Sequence, residues 1–300
     1  MNPIRVSLIG HGHLGKWHAQ KIKTHENVKF IGIADKFFKE SSLEHLYPEL
    51  VMTGSYEELI EMSDAFIVVT PTNTHFEICK NLIQHGKHVF CEKPVATNAQ
   101  ESRELMELVK KHDVKFFVGH SERCHQAWEL LDFKLADSIV LQRFTMPKER
   151  AYDVSVVEDL MVHDIDLFYY LFNLSIDKLK ARGKVHHTGL LDEVTVEIKT
   201  KCRKIVTIES NRNCAKEKRS LSCILGSEKV EVDLMNLEIR KNDEIITLEK
   251  RDHLLIEQHS FYNDILSNTG SLTTIEDGHK AMKVIDAIHL SIDENREVSF

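Results

Sequence analysis

Three hundred residues suffice for one large domain or two moderate ones. The apolar fraction of 42% and the five prolines suit an ordinary globular chain. A formal net charge of −8, with acids and bases interspersed, argues against non-specific binding to nucleic acid or to anionic membranes, while leaving room for a local basic pocket.

No apolar run approaches the ~20 residues of a membrane helix, and the chain opens on a strand pattern with no signal peptide visible. The six cysteines form no C-x-x-C pair and no zinc-like spacing, so neither a metal site nor a disulfide framework is expected. A reducing cytoplasm is the compartment these features suggest.

The first strand is expected at 4–9, where Ile4, Val6, Leu8 and Ile9 lead directly into Gly10-His11-Gly12-His13-Leu14-Gly15. A helix follows from Trp17 to His25. In this context the glycines have separate tasks: Gly10 for the tight turn, Gly12 for close approach of a pyrophosphate, Gly15 for packing helix on strand. His13 and Leu14 lie inside the same loop and are candidate cofactor contacts. The helix N-terminus offers N–H groups and partial positive charge to phosphates. A second strand, 28–34, ends at Asp35, twenty residues past Gly15, the offset of the acid that bonds a ribose 2′-hydroxyl. An anion there favours NAD over NADP, and Lys36 beside it keeps NADP open.

Further strands are expected at 50–53, 65–69, 87–91 and 114–118, with helices between them. Asn98 and Glu101 form a capping-box pattern for a helix over 98–112. Thr70-Pro71-Thr72-Asn73-Thr74-His75 follows the fourth strand, where a doubly wound sheet has its ligand crevice. Thr70, Asn73 and His75 are therefore candidate ribose or nicotinamide contacts; the competing reading is that they only cap a helix over 74–85. Glu92-Lys93-Pro94 follows the fifth strand and faces the same crevice. An X-Pro bond is where a cis peptide occurs. The Lys93 ammonium can stabilise alkoxide-like charge as a hydride leaves, and Glu92 can orient it or contact the ribose. Taken alone, the three residues also read as a solvated turn.

Beyond residue 119 the pattern changes. A helix is expected over 124–134, a strand over 137–146 and a helix over 159–173. Strands follow at 179–187, 191–199, 203–210, 219–225, 228–233, 236–240 and 244–248, then helices over 252–267 and 276–292. Alternating polarity in VTVEIKT and KIVTIES fits an antiparallel sheet with one wet face. The expectation is an α/β chain. Residues 1–119 form a Rossmann doubly wound parallel sheet, and 120–300 an α+β domain on an open, mostly antiparallel sheet. One sheet face is available to the 159–173 helix and the other to a second subunit.

Asp159 and His163 stand four apart, on one face of a helix. A histidine of near-neutral pKa suits proton removal from a hydroxyl, with the carboxylate setting its tautomer. Asp164 and Asp166 raise the alternative of a metal, but His163 and Asp164 are adjacent and converge poorly from a helix. Asp159 as a plain N-cap is the bland alternative. Arg123, Arg143, Lys148 and Arg150 cluster in sequence and are candidates to hold an anionic substrate.

Taken together, GHGHLG at 10–15 followed by His18, TPTNTH at 70–75, EKPVATN at 92–98, DLMVHDIDL at 159–167, EQHSFYNDI at 257–265 and EDGHKAMKVIDAIHLSI at 276–292 resemble the glucose–fructose oxidoreductase/inositol dehydrogenase/MocA family of NAD(P)-dependent sugar oxidoreductases. The resemblance spans the whole chain. It implies a Rossmann domain plus an open-sheet domain, a homodimer or homotetramer made through that sheet, and a site between the domains. It also implies that Lys93 and His163, with Asp159, serve the hydroxyl being oxidised. Within the family, Gly119-His120-Ser121-Glu122-Arg123, the stretch Arg150 to Asp159 and the following HDIDL are similar to UDP-N-acetylglucosamine 3-dehydrogenases. That subgroup implies a diphosphate-bearing substrate, with Arg123, Arg150 and Asp159 as its contacts. The chain differs from the subgroup at Cys124-His125-Gln126, where Phe-Asn-Pro is usual. The expected function is NAD-dependent oxidation of a secondary hydroxyl of a sugar or sugar nucleotide. Reduction of a non-sugar carbonyl and a non-catalytic NAD-binding sensor are the alternatives.

Overall fold

In the computed structural model, which describes residues 2–37, 47–147 and 154–300, the apolar run Ile4–Ile9 is strand β1 and helix α1 (His13–Ile22) follows its glycine loop. The chain continues through β2 (Val28–Ala34), β3 (Val51–Thr53), β4 (Ala65–Val68), α2 (Thr72–Gln84), β5 (His88–Glu92), α3 (Ala99–His112) and β6 (Phe116–Gly119). The six strands form one parallel sheet in the order β3-β2-β1-β4-β5-β6. Leu8, Ile67, Phe90 and Phe117 are fully buried, as central parallel strands covered on both faces must be. Asn98 caps α3, its side chain accepting the Glu101 N–H at 2.9 Å, while Glu101 reaches back to the Thr97 N–H at 2.9 Å.

The segment expected as a helix over 124–134 is instead a 3₁₀ turn at Ser121–Cys124, the single helical turn α4 (Ala127–Leu130) and a second 3₁₀ turn at Phe133–Leu135. Trp128 explains the break. Its indole N–H donates to the Glu122 carbonyl at 2.7 Å, and its ring meets those of His125 and Phe133 edge-on. Strand β7 (Asp137–Phe144) follows, then a π turn at Val157–Met161 that runs into α5 (Val162–Phe172). Seven strands come next: β8 (Ile176–Val185), β9 (Leu191–Thr200), β10 (Ile205–Asn211), β11 (Lys218–Leu225), β12 (Glu228–Asp233), β13 (Glu238–Lys241) and β14 (Glu244–Thr247). Helices α6 (His253–Ser267) and α7 (Ile275–Asp293) and the two-residue strand β15 (Val298–Ser299) end the chain. The second sheet has nine strands in the order β14-β13-β12-β11-β7-β10-β9-β8-β15, antiparallel throughout except for the β7–β10 pair. Alternation along β9 and β10 buries Val194, Val196, Ile198, Val206 and Ile208 and leaves Thr195, Glu197, Thr207 and Glu209 on the wetter face. No described helix is long and apolar enough to cross a membrane.

The chain divides into two compact units, Met1–Ser121 with Asp252–Met282 and Glu122–Arg251 with Lys283–Phe300. This differs from the contiguous boundary expected at 119/120, because α6 returns to the first unit. The reason is aromatic packing. Phe90 and Phe117 stack at 4.9 Å, and Phe261 of α6 closes on both, edge-on, at 6.0 and 6.2 Å. Contacts between residues so distant in sequence leave no local signature.

The second unit buries an ion-pair network. Arg143 stands on the buried face of β7, beside Leu141. Its guanidinium binds both oxygens of Asp164 on α5, at 3.1 and 3.0 Å, and Glu122 Oε1 at 3.1 Å. Arg123 binds both oxygens of Asp166 at 2.9 and 2.6 Å and lies over the Tyr170 ring. Arg123, expected as a contact for an anionic substrate, is buried and paired with α5. Burial and the Glu122 charge push the Asp164 carboxyl up against the pull of Arg143. Burial also disfavours the Glu122 anion, yet the Arg143 charge, the His125 hydrogen bond and the His163 charge hold its carboxyl well below the usual range.

Two outcomes follow from this packing. Phe261→Ala removes the ring shared by Phe90 and Phe117 and is expected to cost about 3–5 kcal/mol in urea unfolding; a cost near zero would mean α6 is not part of that core. Folded Glu122 binds a proton less readily than its unfolded form. The stability it contributes is therefore complete above the ordinary carboxylate range and is lost as pH falls through that range and below. Glu122→Gln should cost about 3 kcal/mol near neutrality, and its thermal midpoint should converge on the parent's as pH falls. A gap constant with pH would contradict the assignment.

Candidate active site

The loops that follow β1 to β5 line a cavity of about 800 Å³ in the first unit, a size suited to a small-molecule site. Gly10 has φ +93°, and a Cβ there would lie 2.4 Å from the Val69 carbonyl oxygen. A Cβ on Gly15 would lie 2.2 Å from the Gly10 carbonyl oxygen. Neither position can take a side chain. At Gly12 a Cβ would meet nothing within 4 Å, so the loop is open on the side a ligand needs. Gly12 is also the N-cap of α1. It brings no capping side chain, and the first turn carries no acid. Gly12, His13, Leu14 and Gly15 all line the cavity. A helix start left uncapped by side chains, at the wall of such a cavity, fits the diphosphate of a dinucleotide.

The two loop histidines diverge. His13 lines the cavity, whereas His11 is buried with its ring edge-on to Tyr47 at 5.5 Å. Burial, then the Lys16 charge, holds the His11 imidazole below its usual range. Asp35 lies at the end of β2, where Oδ2 accepts the His11 N–H at 2.7 Å and Oδ1 the Phe37 N–H at 2.8 Å. Two backbone donors thus fix this carboxylate in the cavity lining, and Lys36 lines it as well.

Thr70 lines the cavity and shares a 2.7 Å hydrogen bond with Thr74. The other two candidates from that loop are placed elsewhere. His75 is buried, and its ring nitrogens meet the carbonyl oxygens of Pro94 and Thr70, each at 2.8 Å. It ties two loops together, and burial holds its imidazole below the usual range. Asn73 is exposed on the first turn of α2 and is not part of the cavity lining.

Glu92 and Lys93 form the wall contributed by β5, and the Lys93–Pro94 bond is cis. Glu92 is buried; its Oε1 accepts from His18 Nε2 at 2.9 Å and its Oε2 from the Lys93 N–H at 3.3 Å. It therefore braces the lysine from the protein side.

In the second unit, Asp159 lies on the π turn and His163 on the first turn of α5, both half-buried. Asp159 is inside the helical run, its N–H donating to the Ser155 carbonyl at 3.1 Å, so it is not an N-cap. The π turn is anchored by Glu158, which accepts from Ser155 Oγ and from His289 Nε2 at 2.6 Å. Glu122 lies within electrostatic reach of His163. Asp164 and Asp166, weighed above as metal ligands, bind Arg143 and Arg123. Lys148 and Arg150 lie outside the described residues.

Sequence reasoning passed over Gly54, Ser55, Tyr56 and Glu57, which line the cavity after β3. The rule that strand ends face the crevice, already applied to β4 and β5, would have found them. It also passed over Glu122, and over Gln258, whose contact with His18 carries no local signal.

Residues 4–120 match the family model described as an oxidoreductase family with an NAD-binding Rossmann fold, and residues 141–231 match that of the GFO/IDH/MocA C-terminal domain. The chain is 26% identical to the UDP-N-acetylglucosamine 3-dehydrogenase of Acidithiobacillus ferrooxidans, over 88% of this chain and 90% of that one. The solved structure of that enzyme superposes with a TM-score of 0.90 at 25% identity, covering 98% of this chain and 99% of the other. A myo-inositol 2-dehydrogenase of Thermotoga maritima is 25% identical over 98% of each chain. The scyllo-inositol dehydrogenase of Lactobacillus casei, solved with NAD(H) and scyllo-inositol, shares the fold at 20% identity and a TM-score of 0.82, over 99% of each chain. With both halves matched and the glycine cradle in place, the chain belongs to the glucose–fructose oxidoreductase/inositol dehydrogenase/MocA family and is an NAD(P)-dependent dehydrogenase acting on CH–OH groups.

Proposed function

We propose that this dehydrogenase uses NAD to oxidise a secondary ring hydroxyl of a sugar nucleotide, with the 3-hydroxyl of UDP-N-acetylglucosamine as the first candidate. The observation that carries the reading is Lys93 in the lining of the same cavity that the glycine loop lines. The relative named for UDP-N-acetylglucosamine supports the substrate. The inositol dehydrogenase at comparable identity supports a second reading, a free cyclitol or sugar. That second reading gains weight because Arg123 and Arg143, two of the four basic residues suggested for a diphosphate, are engaged with Asp166 and Asp164.

Gly10, Gly12, His13, Leu14 and Gly15 would hold the cofactor diphosphate, and Asp35 the adenosine ribose. Bound NAD supplies a hydride acceptor. Lys93 Nζ donates to the substrate oxygen and stabilises the negative charge developing there. His163, or Lys93 as the neutral amine, takes the hydroxyl proton, and Asp159 sets the His163 tautomer. Two N–H groups anchor the Asp35 side chain, and a carboxylate there would disfavour a 2′-phosphate and select NAD over NADP. The wetter face of the nine-stranded sheet is the surface through which a homodimer or homotetramer would form. Six free thiols, four of them buried, suit a reducing cytoplasm.

Purified protein should produce NADH from NAD and UDP-N-acetylglucosamine when an aminotransferase withdraws the ketone. NADH only with inositols or free sugars would move the assignment to the second reading, and NAD binding without any NADH would overturn both. Lys93→Ala should lower kcat by roughly 10²- to 10⁴-fold with calorimetric NAD affinity retained; full activity would remove the lysine from the mechanism. Asp35→Ser should weaken NAD about tenfold or more and admit NADP. Unchanged preference in steady-state assays would show that Asp35 does not choose the cofactor.

A further inference from the structure

The wall of the cavity is held by a directed chain of hydrogen bonds that begins on α6. The Tyr262 hydroxyl donates to Gln258 Oε1 at 3.1 Å. Gln258 Nε2 stands 3.2 Å from the backbone carbonyl oxygen of His18 and 2.9 Å from His18 Nδ1. A carbonyl only accepts, so the amide must turn its NH₂ to this side, and its second N–H then points at Nδ1. Nδ1 is therefore an acceptor, and the ring proton is on Nε2. Nε2 donates to Glu92 Oε1 at 2.9 Å, and Glu92 Oε2 receives the Lys93 N–H at 3.3 Å. His18, Gln258 and Tyr262 are fully buried. A Cβ on Gly119 would lie 2.9 Å from Glu92 Oε2, so the carboxylate is confined on that side too.

We propose that His18, Gln258 and Tyr262 are positioning residues that keep Glu92 ionised in one orientation and so fix the placement and charge of Lys93. The proposal rests on the role given to Lys93 above. Burial by itself pushes the Glu92 carboxyl up; the His18 ring beside it, and after it Lys93, hold it below the usual range. Two further titratable groups interact with Glu92, and burial disfavours the charged form of each. Burial keeps the Cys91 thiol, next to it on β5, well above its ordinary value, and holds His75 of α2 below its own. Burial likewise keeps the Tyr262 phenol protonated, which preserves it as the donor at the head of the chain. Gly119 of β6 brings no charge. Without the Nε2 donor, burial prevails. Glu92 then takes up a proton above the ordinary carboxylate range and ceases to be an anion beside Lys93.

The test follows the Glu92 carboxyl by ¹³C NMR, with Glu92→Gln identifying its signal, in the full chain and in the Gln258→Leu and Tyr262→Phe variants. Activity against pH and NAD affinity are measured in parallel. Glu92 should titrate below the ordinary range in the parent and higher in Gln258→Leu, where His18 Nδ1 loses its donor and Nε2–H donates less strongly. That variant should lose about 10- to 100-fold in kcat with NAD affinity unchanged. It should also gain an acid limb, activity falling as pH falls through the raised Glu92 titration. Tyr262→Phe keeps the ring in the core and should shift Glu92 in the same direction by less. A Glu92 titration identical in all three proteins overturns the proposal, as does a kcat loss equal at every pH. If the parent oxidises no sugar, the functional reading falls, and the Glu92 titration still decides the hydrogen-bond chain.

Discussion

The first unit depends on backbone approaching backbone where no side chain fits. The Gly10 N–H donates to the Ala34 carbonyl at 2.8 Å and the Val69 N–H to the Ile9 carbonyl at 2.8 Å, so the turn after β1 is bonded to the ends of both neighbouring strands. A methyl at Gly10 or Gly15 would drive into carbonyl oxygens that belong to this arrangement. The same turn sits where the strand order reverses, with β2 on one side of β1 and β4 on the other. The connections leave in opposite directions there and open a cleft. Asp35 is anchored on the His11 N–H of that turn, and Lys93 stands in the wall of the cleft it opens. Displacing the glycine contact would move all of them.

Buried polarity is handled differently in the two units. In the first, a hydroxyl, an amide and a ring N–H in series end on Glu92. In the second, each carboxylate on α5 has its own arginine. Asp164 and Asp166 are two residues apart on a helix and point to different sides, so one meets Arg143 on β7 and the other Arg123 on the turn after β6. Such pairs add little net stability, because desolvation offsets most of their attraction. Breaking one is costly, so α5, and with it His163, is held in one seating on its sheet.

Much of this was legible from local pattern. The strands and their polarity alternation, the capped helix α3, the glycine loop with Asp35, and Lys93 after β5 all depend on residues within a few positions of one another. The failures share a cause as well. The apolar spacing of 124–134 reads as a helix, and the Trp128 bond to the Glu122 carbonyl breaks it. His75 reads equally as a cap or a ligand until the Pro94 carbonyl is placed beside it. Arg123 reads as a contact for an anionic substrate, and its pairing with Asp166 shows only in space.

Local chemistry dictated which backbone conformations each segment would adopt, and so the order of elements and the residue types available at the strand ends. It could not dictate which side chains would use up one another's hydrogen-bonding capacity, since those pairings join residues far apart in the chain. Gln258 meeting His18, Phe261 closing on Phe90 and Arg143 meeting Asp164 exist only once the sheets are assembled. A buried donor or acceptor must find its partner in space, and sequence distance places no limit on where that partner comes from.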